Sequence, residues 1–180
     1  MKTLNEYIKE SLLGDFDDLE TSIDPRKDIE QFINDHYKIK GKLRISKKPN
    51  SNGKYEVSCL SASILDENIT SLTNNAFVWL NIRKDFICSY CHSLKSLEGA
   101  PKEVGGNFYC YISLTTLEGA PEKVGGSFNC VFCDSLTSLK GAPKEVGGDF
   151  YCSYCSSLTS LEGAPKEVGG CFECHECNSL

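Results

Sequence analysis

Hydrophobic residues recur at a fixed spacing through the second half of the chain. Phenylalanine opens each of five copies of one pattern, at positions 86, 108, 128, 150 and 172, so consecutive copies are 22, 20, 22 and 22 residues apart. Phe-x-Cys comes first in each copy, and Ser-Leu-x-x-Leu, Gly-Ala-Pro and Val-Gly-Gly follow in the four complete copies. Near-identical copies with a period of about 20 residues indicate a solenoid, in which each copy forms one coil of a stack.

Each copy predicts a short strand and an extended arm. In Phe-x-Cys the first and last side chains point to one side of a strand, and the side chain between them points to the other. Leu158, Leu161 and Val168 of the fourth copy, with their equivalents, supply further inward side chains. Gly-Ala-Pro ends any helix because proline has no backbone N–H. The glycine pair that follows, Gly169 and Gly170 in this copy, is expected to permit a tight turn into the next strand.

The chain before the repeats carries different patterns. Asp24 and Pro25 predict the start of a helix over residues 25–37, and the apolar residues of this helix fall on one face: Ile29, Phe32, Ile33 and Tyr37. Alternating residues on both sides of Asn52 and Gly53 predict a β-hairpin. Phe77, Trp79 and Ile82 are expected to be half-buried strand positions. An open solenoid end exposes its core, so we interpret residues 25–85 as a capping module.

The predicted fold is mainly β with a small N-terminal α part. It is a leucine-rich-repeat-like β-solenoid with a helix and hairpin as its N-terminal cap. Three units are expected: a leader helix and acidic linker over residues 1–24, the capping module over 25–85, and a solenoid of four full repeats and a partial fifth over 86–180. The last copy has only nine residues, which predicts an exposed final strand, so end-to-end association with a second copy and a shortened product are both open.

The copies resemble leucine-rich repeats, whose pattern is LxxLxLxxN/CxL. Phe128-x-Cys130-x-x-Cys133 fits the LxLxxN/C core, as do the copies that start at Phe86 and Phe150, although the leucine that follows comes one residue late. The resemblance covers residues 86–180. It implies non-enzymatic protein–protein recognition through the exposed strand face. The outward residues that would carry it are aromatic-rich, as interfaces are: Ile87, Tyr90, Tyr109, Tyr111, Asn129, Phe132, Tyr151 and Tyr154.

Composition narrows the class of protein. The chain has 180 residues, a net charge of -6, 40% hydrophobic and 24% charged residues, which is typical of a folded soluble domain. No apolar run reaches the roughly 18 residues of a membrane span, and MKTLNEYIKE lacks the apolar segment of a secretory signal. Residues 31–57 are basic, which we interpret as the solvated face of the hairpin. The overall acidity argues against a nucleic-acid partner.

Eleven cysteines raise the question of redox or metal chemistry. Without an export signal the compartment is expected to be reducing, as the cytoplasm is. The favoured interpretation is that both cysteines of each Cys-x-x-Cys pair serve the repeat, because Cys110 persists alone in the short copy. Zinc is the alternative, with these candidate ligands: Cys130, Cys133, Cys152, Cys155, Cys174 and Cys177. Cys171 is expected to be an exposed thiol. Nothing predicts a catalytic group or another cofactor.

The first ten residues form a separate motif. Thr3-x-x-Glu6 is a capping box, and Leu4, Tyr7 and Ile8 make an apolar stripe. MKTLNEYIKE also resembles the capsid-targeting leaders of T-even-like phage head proteins, which have the form MKT-x-x-E-[FY]-I-x-E. That resemblance implies a phage protein that binds a head or scaffold protein, is cleaved after Glu10 and resides inside the virion.

Overall fold

The computed structural model describes residues 24–111 and 113–180, which form a β-solenoid behind a single short helix. The helix, α1, is Pro25–His36. The strands are β1 Tyr37–Lys40, β2 Arg44–Ile45, β3 Tyr55–Cys59, β4 Ser61–Ile64, β5 Phe77–Ile82, β6 Phe86–Ile87, β7 Glu103–Val104, β8 Phe108–Tyr109, β9 Lys123–Val124, β10 Phe128–Asn129, β11 Glu145–Val146, β12 Phe150–Tyr151, β13 Glu167–Val168 and β14 Phe172–Glu173. The prediction of a mainly β chain with a small N-terminal α part is confirmed.

Two sheets of seven strands make the walls of the solenoid. Sheet A has the order β1-β4-β6-β8-β10-β12-β14, and sheet B has the order β13-β11-β9-β7-β5-β3-β2. Strands of successive repeats pair in parallel, whereas β1 with β4 and β2 with β3 pair antiparallel. Each full repeat therefore places one two-residue strand in each sheet. Both sheets continue from the predicted cap into the repeats, so the cap supplies the first strands of the stack.

The helix begins where the sequence predicts and ends one residue early. Asp24 caps it by accepting a hydrogen bond from the backbone N–H of Arg26 at 3.1 Å, and Pro25 fits the first turn because that turn needs no donor there. Ile29 and Ile33 are buried against the core. Tyr37 belongs to β1, and its hydroxyl donates to the carbonyl of Leu72 at 2.8 Å.

The predicted hairpin is present, and the strand after it is more deeply buried than expected. β2 and β3 pair antiparallel across a turn in which the N–H of Gly53 donates to the carbonyl of Asn50 at 2.9 Å. Phe77, Trp79 and Ile82 of β5 are buried, not half-buried. The coil that contains them is enclosed by α1 on one side and the first repeat on the other, which leaves these side chains no solvent face.

The core of the repeats consists of ladders, in each of which equivalent side chains of successive coils stack on one another. Phe86, Phe108, Phe128, Phe150 and Phe172 stack with ring centroids 5.1 to 5.4 Å apart and planes within 13°. The equivalents of Leu158 and Val168 in the first three repeats are also buried: Leu94, Leu114, Leu136, Val104, Val124 and Val146. Leu97, Leu117 and Leu139, the equivalents of Leu161, are buried as well, so the prediction of inward positions holds for the first three repeats. In the fourth repeat it is wrong for Leu161, which is 41% exposed, and Val168 is only half-buried, because no complete coil covers them. Phe172 is 38% exposed because a neighbour covers only one of its faces.

The Gly-Gly pair has a different physical reason from the one predicted. These glycines do not have the positive φ that a glycine-only turn would need, whereas the glycine of Gly-Ala-Pro does, for example Gly141 at φ 87°. A Cβ built on Gly147 would lie 2.3 Å from the carbonyl oxygen of Gly125 in the preceding coil. The pair is therefore required for the close approach of neighbouring backbones at this corner, not for conformational freedom.

Candidate functional site

The outer face of sheet A carries the predicted partner-binding row. The parallel register places Ile87, Tyr109, Asn129 and Tyr151 side by side on four successive coils, each half-buried. The hydroxyl of Tyr151 donates to a carboxylate oxygen of Asp149 at 2.8 Å, which raises the pKa of Tyr151 to about 12. This row is regular because it follows the strand pairing, which places one half-buried side chain on each coil.

A second row of aromatic side chains projects from the corner that follows the strand. Tyr90, Phe132 and Tyr154 are 63%, 50% and 47% exposed. All three have left-handed backbone conformations, with φ of 64°, 59° and 60°. Such a conformation costs a non-glycine residue roughly 1–2 kcal/mol. The same strained position therefore holds a large, exposed aromatic side chain in three of the long coils.

Contacts join four of these aromatic residues into two pairs. Phe132 and Tyr154 stack, with centroids 4.8 Å apart and planes 14° from parallel. Tyr109 and Tyr111 meet edge to face at 5.9 Å. Partial burial raises the pKa of Tyr111, and the nearby Tyr109, Cys110 and Tyr90 raise it further. We call the exposed surface of residues 87–90, 109–111, 129–132 and 151–154 the aromatic patch.

The aromatic patch contains no charged residue. Lys, Arg, Asp and Glu are absent from the sequence of all four segments that form it. Charged side chains return in the partial fifth repeat, where Glu173 and Glu176 occupy the equivalent positions, and Glu176 also has a positive φ of 55°. Depletion of charge together with aromatic enrichment is the compositional mark of an interface core.

The short second repeat has two residues fewer than the other full repeats, and its sequence has Ile112, which lies outside the described residues, where the long repeats have Tyr90, Phe132 and Tyr154. Ser113 of this coil is buried, and its hydroxyl contacts the carbonyls of Cys91 and Leu94 in the preceding coil, the latter at 2.7 Å. Sequence reasoning missed this role, since every full copy has a serine here and only the shortened coil buries it.

The cysteines form two ladders inside the solenoid. The first thiol of each pair donates to a carbonyl of the next coil, as Cys88 does to Tyr109 at 3.2 Å and Cys130 to Tyr151 at 3.4 Å. The second thiol donates to the carbonyl of the first cysteine of the preceding coil. These contacts are Cys133 to Cys110 at 3.6 Å, Cys155 to Cys130 at 3.4 Å and Cys177 to Cys152 at 3.2 Å. The carbonyls that the first thiols contact also accept the backbone N–H of the same cysteine, for example that of Cys88 to Tyr109 at 2.8 Å, so the thiol adds a second bond there. The second thiols pair with the carbonyls of Cys110, Cys130 and Cys152 and so help to satisfy buried backbone acceptors.

Burial raises the pKa of several of these thiols. It raises the pKa of Cys88, Cys110 and Cys130 well above the ordinary value and that of Cys91 to about 11. Hydrogen bonding to Cys133 and burial raise the pKa of Cys155. Cys171 is exposed, as predicted.

Zinc would need at least three or four ligands around one point. Among residues 24–111 and 113–180, no group of three His, Cys, Asp or Glu side chains could hold a metal ion. The zinc alternative through Cys130, Cys133, Cys152, Cys155, Cys174 and Cys177 stays a prediction, and metal analysis of the purified protein tests it.

A row of hydrogen bonds that the sequence did not predict joins neighbouring coils at the residue before each repeat phenylalanine. Side-chain oxygens of Asp85, Asn107, Ser127 and Asp149 each accept the backbone N–H of the equivalent residue one coil later, at 2.8, 2.8, 3.0 and 2.8 Å. The bond from the N–H of Cys171 and that from Tyr151 lower the pKa of Asp149. The signal was available in the sequence, because all four residues at this position offer a short side-chain acceptor.

The leader lies outside the described residues. The roles of Leu4, Tyr7, Ile8 and Glu10, the cleavage after Glu10 and the location in a virion therefore stay predictions. Comparisons with protein family models, curated proteins and solved structures find no match for this chain. In the part of the chain that the structure describes, no helix has the length and apolar character needed to cross a membrane.

Proposed function

We propose that this protein is a non-enzymatic recognition module that binds a protein partner through the aromatic patch on sheet A. The observation that carries the proposal is the recurrence of Tyr90, Phe132 and Tyr154 as exposed aromatic residues in left-handed conformations. Glycine would occupy such a position without strain. Strained residues that persist at equivalent sites indicate a role for the side chain itself.

Folding of the corner does not require an aromatic ring. The fifth copy has Glu176 at the equivalent position, with the same left-handed conformation at φ 55°, so this corner also forms with a charged, non-aromatic side chain. Stacking with Tyr154 is one reason for an aromatic residue at position 132, because such a pair contributes about 0.5–1.5 kcal/mol. No stacking partner of that kind is found for Tyr90 among the described residues, so its ring is available to a partner.

The chemistry of the patch defines the partner. A carboxylate placed on an uncharged aromatic surface loses hydration without gaining an ion pair, and the negative faces of the rings repel it. Tyrosine hydroxyls at positions 90, 109, 111, 151 and 154 can still pair with backbone groups. The expected partner is thus a protein segment that is rich in apolar side chains and has no carboxylates at the contact. The resemblance of the repeats to leucine-rich repeats supports the same function, because it implies recognition through the exposed strand face.

A triple glycine variant tests the proposal with little risk to the fold. Tyr90→Gly, Phe132→Gly and Tyr154→Gly together remove three rings at positions where glycine relieves strain. The matched control is Lys95→Ala, Thr137→Ala and Thr159→Ala, which changes three exposed residues of the same three coils away from the patch. Both variants are checked by their urea-unfolding midpoints.

The measurement is selection from a displayed random-peptide library. Wild type and the control variant are expected to enrich apolar sequences without acidic residues, and the triple glycine variant is expected to lose that enrichment at an unchanged unfolding midpoint. Equal enrichment by all three proteins would refute the assignment of this face, as would enrichment of acidic sequences by the wild type.

A further inference from the structure

The outer face of sheet B carries a cavity at its capping end that the proposed recognition face does not use. The cavity has a volume of about 250 Å³. Three cations, two polar side chains and a leucine line most of it: Lys42, Arg44, Arg83, Ser58, Asn81 and Leu80. No carboxylate of the described chain is among its lining residues.

A β-bulge builds this arrangement. Val57 pairs with Trp79, but the next residue, Ser58, pairs with Asn81, so Leu80 is an extra residue on β5. Both Leu80 and Asn81 are consequently exposed, and Leu80 has 52% of its surface in solvent. Bulges re-aim side chains and are over-represented next to functional sites. This one brings an apolar and a polar side chain together beside the cations.

The strand register holds the polar part of the cavity in one row. Arg44 of β2 lies opposite Ser58 of β3, and Ser58 lies opposite Asn81 of β5. Because neighbouring strands are about 4.8 Å apart, Arg44 and Asn81 are separated by roughly 10 Å at the backbone. Side chains from both ends of the row can therefore contact a single small group above Ser58.

The charges of the cavity are not neutralised within the described chain. Lys42, Arg44 and Arg83 form no ion pair with a carboxylate of residues 24–111 or 113–180. Two acids lie next to the cavity on this face: Glu56, two residues before Ser58, and Glu103, beside Asn81 in the row. Three cations against these two flanking acids leave the cavity itself positive, and a positive concavity attracts anions.

We propose that this cavity binds the phosphate group of a small organic ligand. Arginine presents a planar fork of donors that matches phosphate in a bidentate geometry, and the cavity has two arginines. Ser58 and Asn81 add neutral donors, and Leu80 contacts the apolar part of the ligand. The size of the cavity and the net charge of -6 favour a small ligand over a nucleic acid.

The test is an NMR titration of the full chain with inorganic phosphate, pyrophosphate and phenyl phosphate, followed through backbone amide shifts. Shifts are expected at Ser58 and Asn81, and phenyl phosphate is expected to bind more tightly than inorganic phosphate because of Leu80. Leu80→Ala should remove that preference and retain phosphate binding. Arg44→Gln with Arg83→Gln should weaken binding by about tenfold or more.

The matched control removes the same net charge elsewhere. Lys47→Gln with Lys48→Gln changes two exposed cations of the hairpin loop that do not line the cavity, and it should alter the affinity less than about twofold. Lys42→Gln is a second variant should the arginine pair be needed for folding. Equal weakening by both double variants would overturn the proposal, as would shifts confined to other residues or tighter binding of a hexaglutamate peptide than of pyrophosphate.

Discussion

The second and third repeats of the solenoid differ by two residues and by very little of their core. Phe108, Leu114, Leu117 and Val124 of the short coil are buried, and so are Phe128, Leu136, Leu139 and Val146 of the long one. The long coil adds Cys133 and Asp134, which directly follow the left-handed Phe132. Its extra length therefore lies in the corner that carries the exposed aromatic row.

The two coils distinguish the positions that coil stacking requires from the positions that can vary. The inward ladder and the close corner at Gly-Gly occur in every full repeat, because each coil must cover the next at the strand spacing. The corner that carries the exposed aromatic residues varies in length and holds strained backbone conformations, so the stacking of coils does not by itself explain its sequence.

Truncating an inner ring is expected to cost far more than truncating an outer one in the same coil. Phe128→Ala leaves a cavity in a fully buried stack and should lower the free energy of unfolding by about 3–5 kcal/mol. Phe132→Ala loses a stack with Tyr154 that is half in solvent and should cost about 1 kcal/mol or less. Urea unfolding followed by circular dichroism measures both, and similar losses would break the distinction between the two positions.

The glycine corner gives the next largest effect. Gly147→Ala forces a Cβ to within 2.3 Å of the carbonyl oxygen of Gly125, so the neighbouring coil must shift, at a cost of about 1–3 kcal/mol. Gly53→Ala is the control: nothing lies within 4 Å of its added Cβ, and its φ of 72° predicts a loss of roughly 1 kcal/mol. A larger loss at position 53 than at position 147 would show that conformation, not close approach, governs these glycines.

The sequence predicts the solenoid, its inward ladders, the helix and the hairpin, because all of them follow from local periodicity. Phe-x-Cys gives the strand direction, and Asp24 with Pro25 gives the helix start. Contacts between coils could not be derived in the same way. The Cys133 thiol bonds to the Cys110 carbonyl, which lies one coil away, and a copied motif alone does not show which face it meets. Local periodicity also does not predict the left-handed conformations of Tyr90, Phe132 and Tyr154 or the β-bulge at Leu80.

Shortening the third repeat to match the second tests whether the outer corner is separable. Deleting Cys133 and Asp134 leaves Phe128-x-Cys130-x-x-Ser-Leu, which is the pattern of the short coil. The loss of one buried thiol and its hydrogen bond is expected to cost about 1–2 kcal/mol, partly offset if the left-handed residue relaxes.

The control for this deletion removes two residues from the inner arm, Leu139 and Lys140. Since Leu139 is fully buried, that protein should lose most of its structure. Circular dichroism and urea unfolding compare the two deletions. Equal damage from both would show that the outer corner is as essential as the core.

The short coil also reverses one charge pair, and this gives the smallest effect. Its order is Glu122-Lys123, whereas the neighbours have Lys102-Glu103 and Lys144-Glu145. Lys123 consequently lies between Glu103 and Glu145 in sheet B, 2.6 Å from a carboxylate oxygen of Glu145, and Lys144 lies 3.7 Å from Glu122. These side chains are about half exposed, so each pair contributes little.

Restoring the common order aligns like charges over four coils. Glu122→Lys with Lys123→Glu should lower the urea-unfolding midpoint at low salt by less than any of the changes above, and 1 M NaCl should remove most of the difference because it screens beyond about 3 Å. Lys166→Glu with Glu167→Lys in the fourth repeat is the converse, since Glu145 now lies opposite Glu167. That variant should be stabilised by a similar, equally salt-sensitive amount. Shifts of the same sign in both variants would mean that the reversal acts through something other than charge alternation between coils.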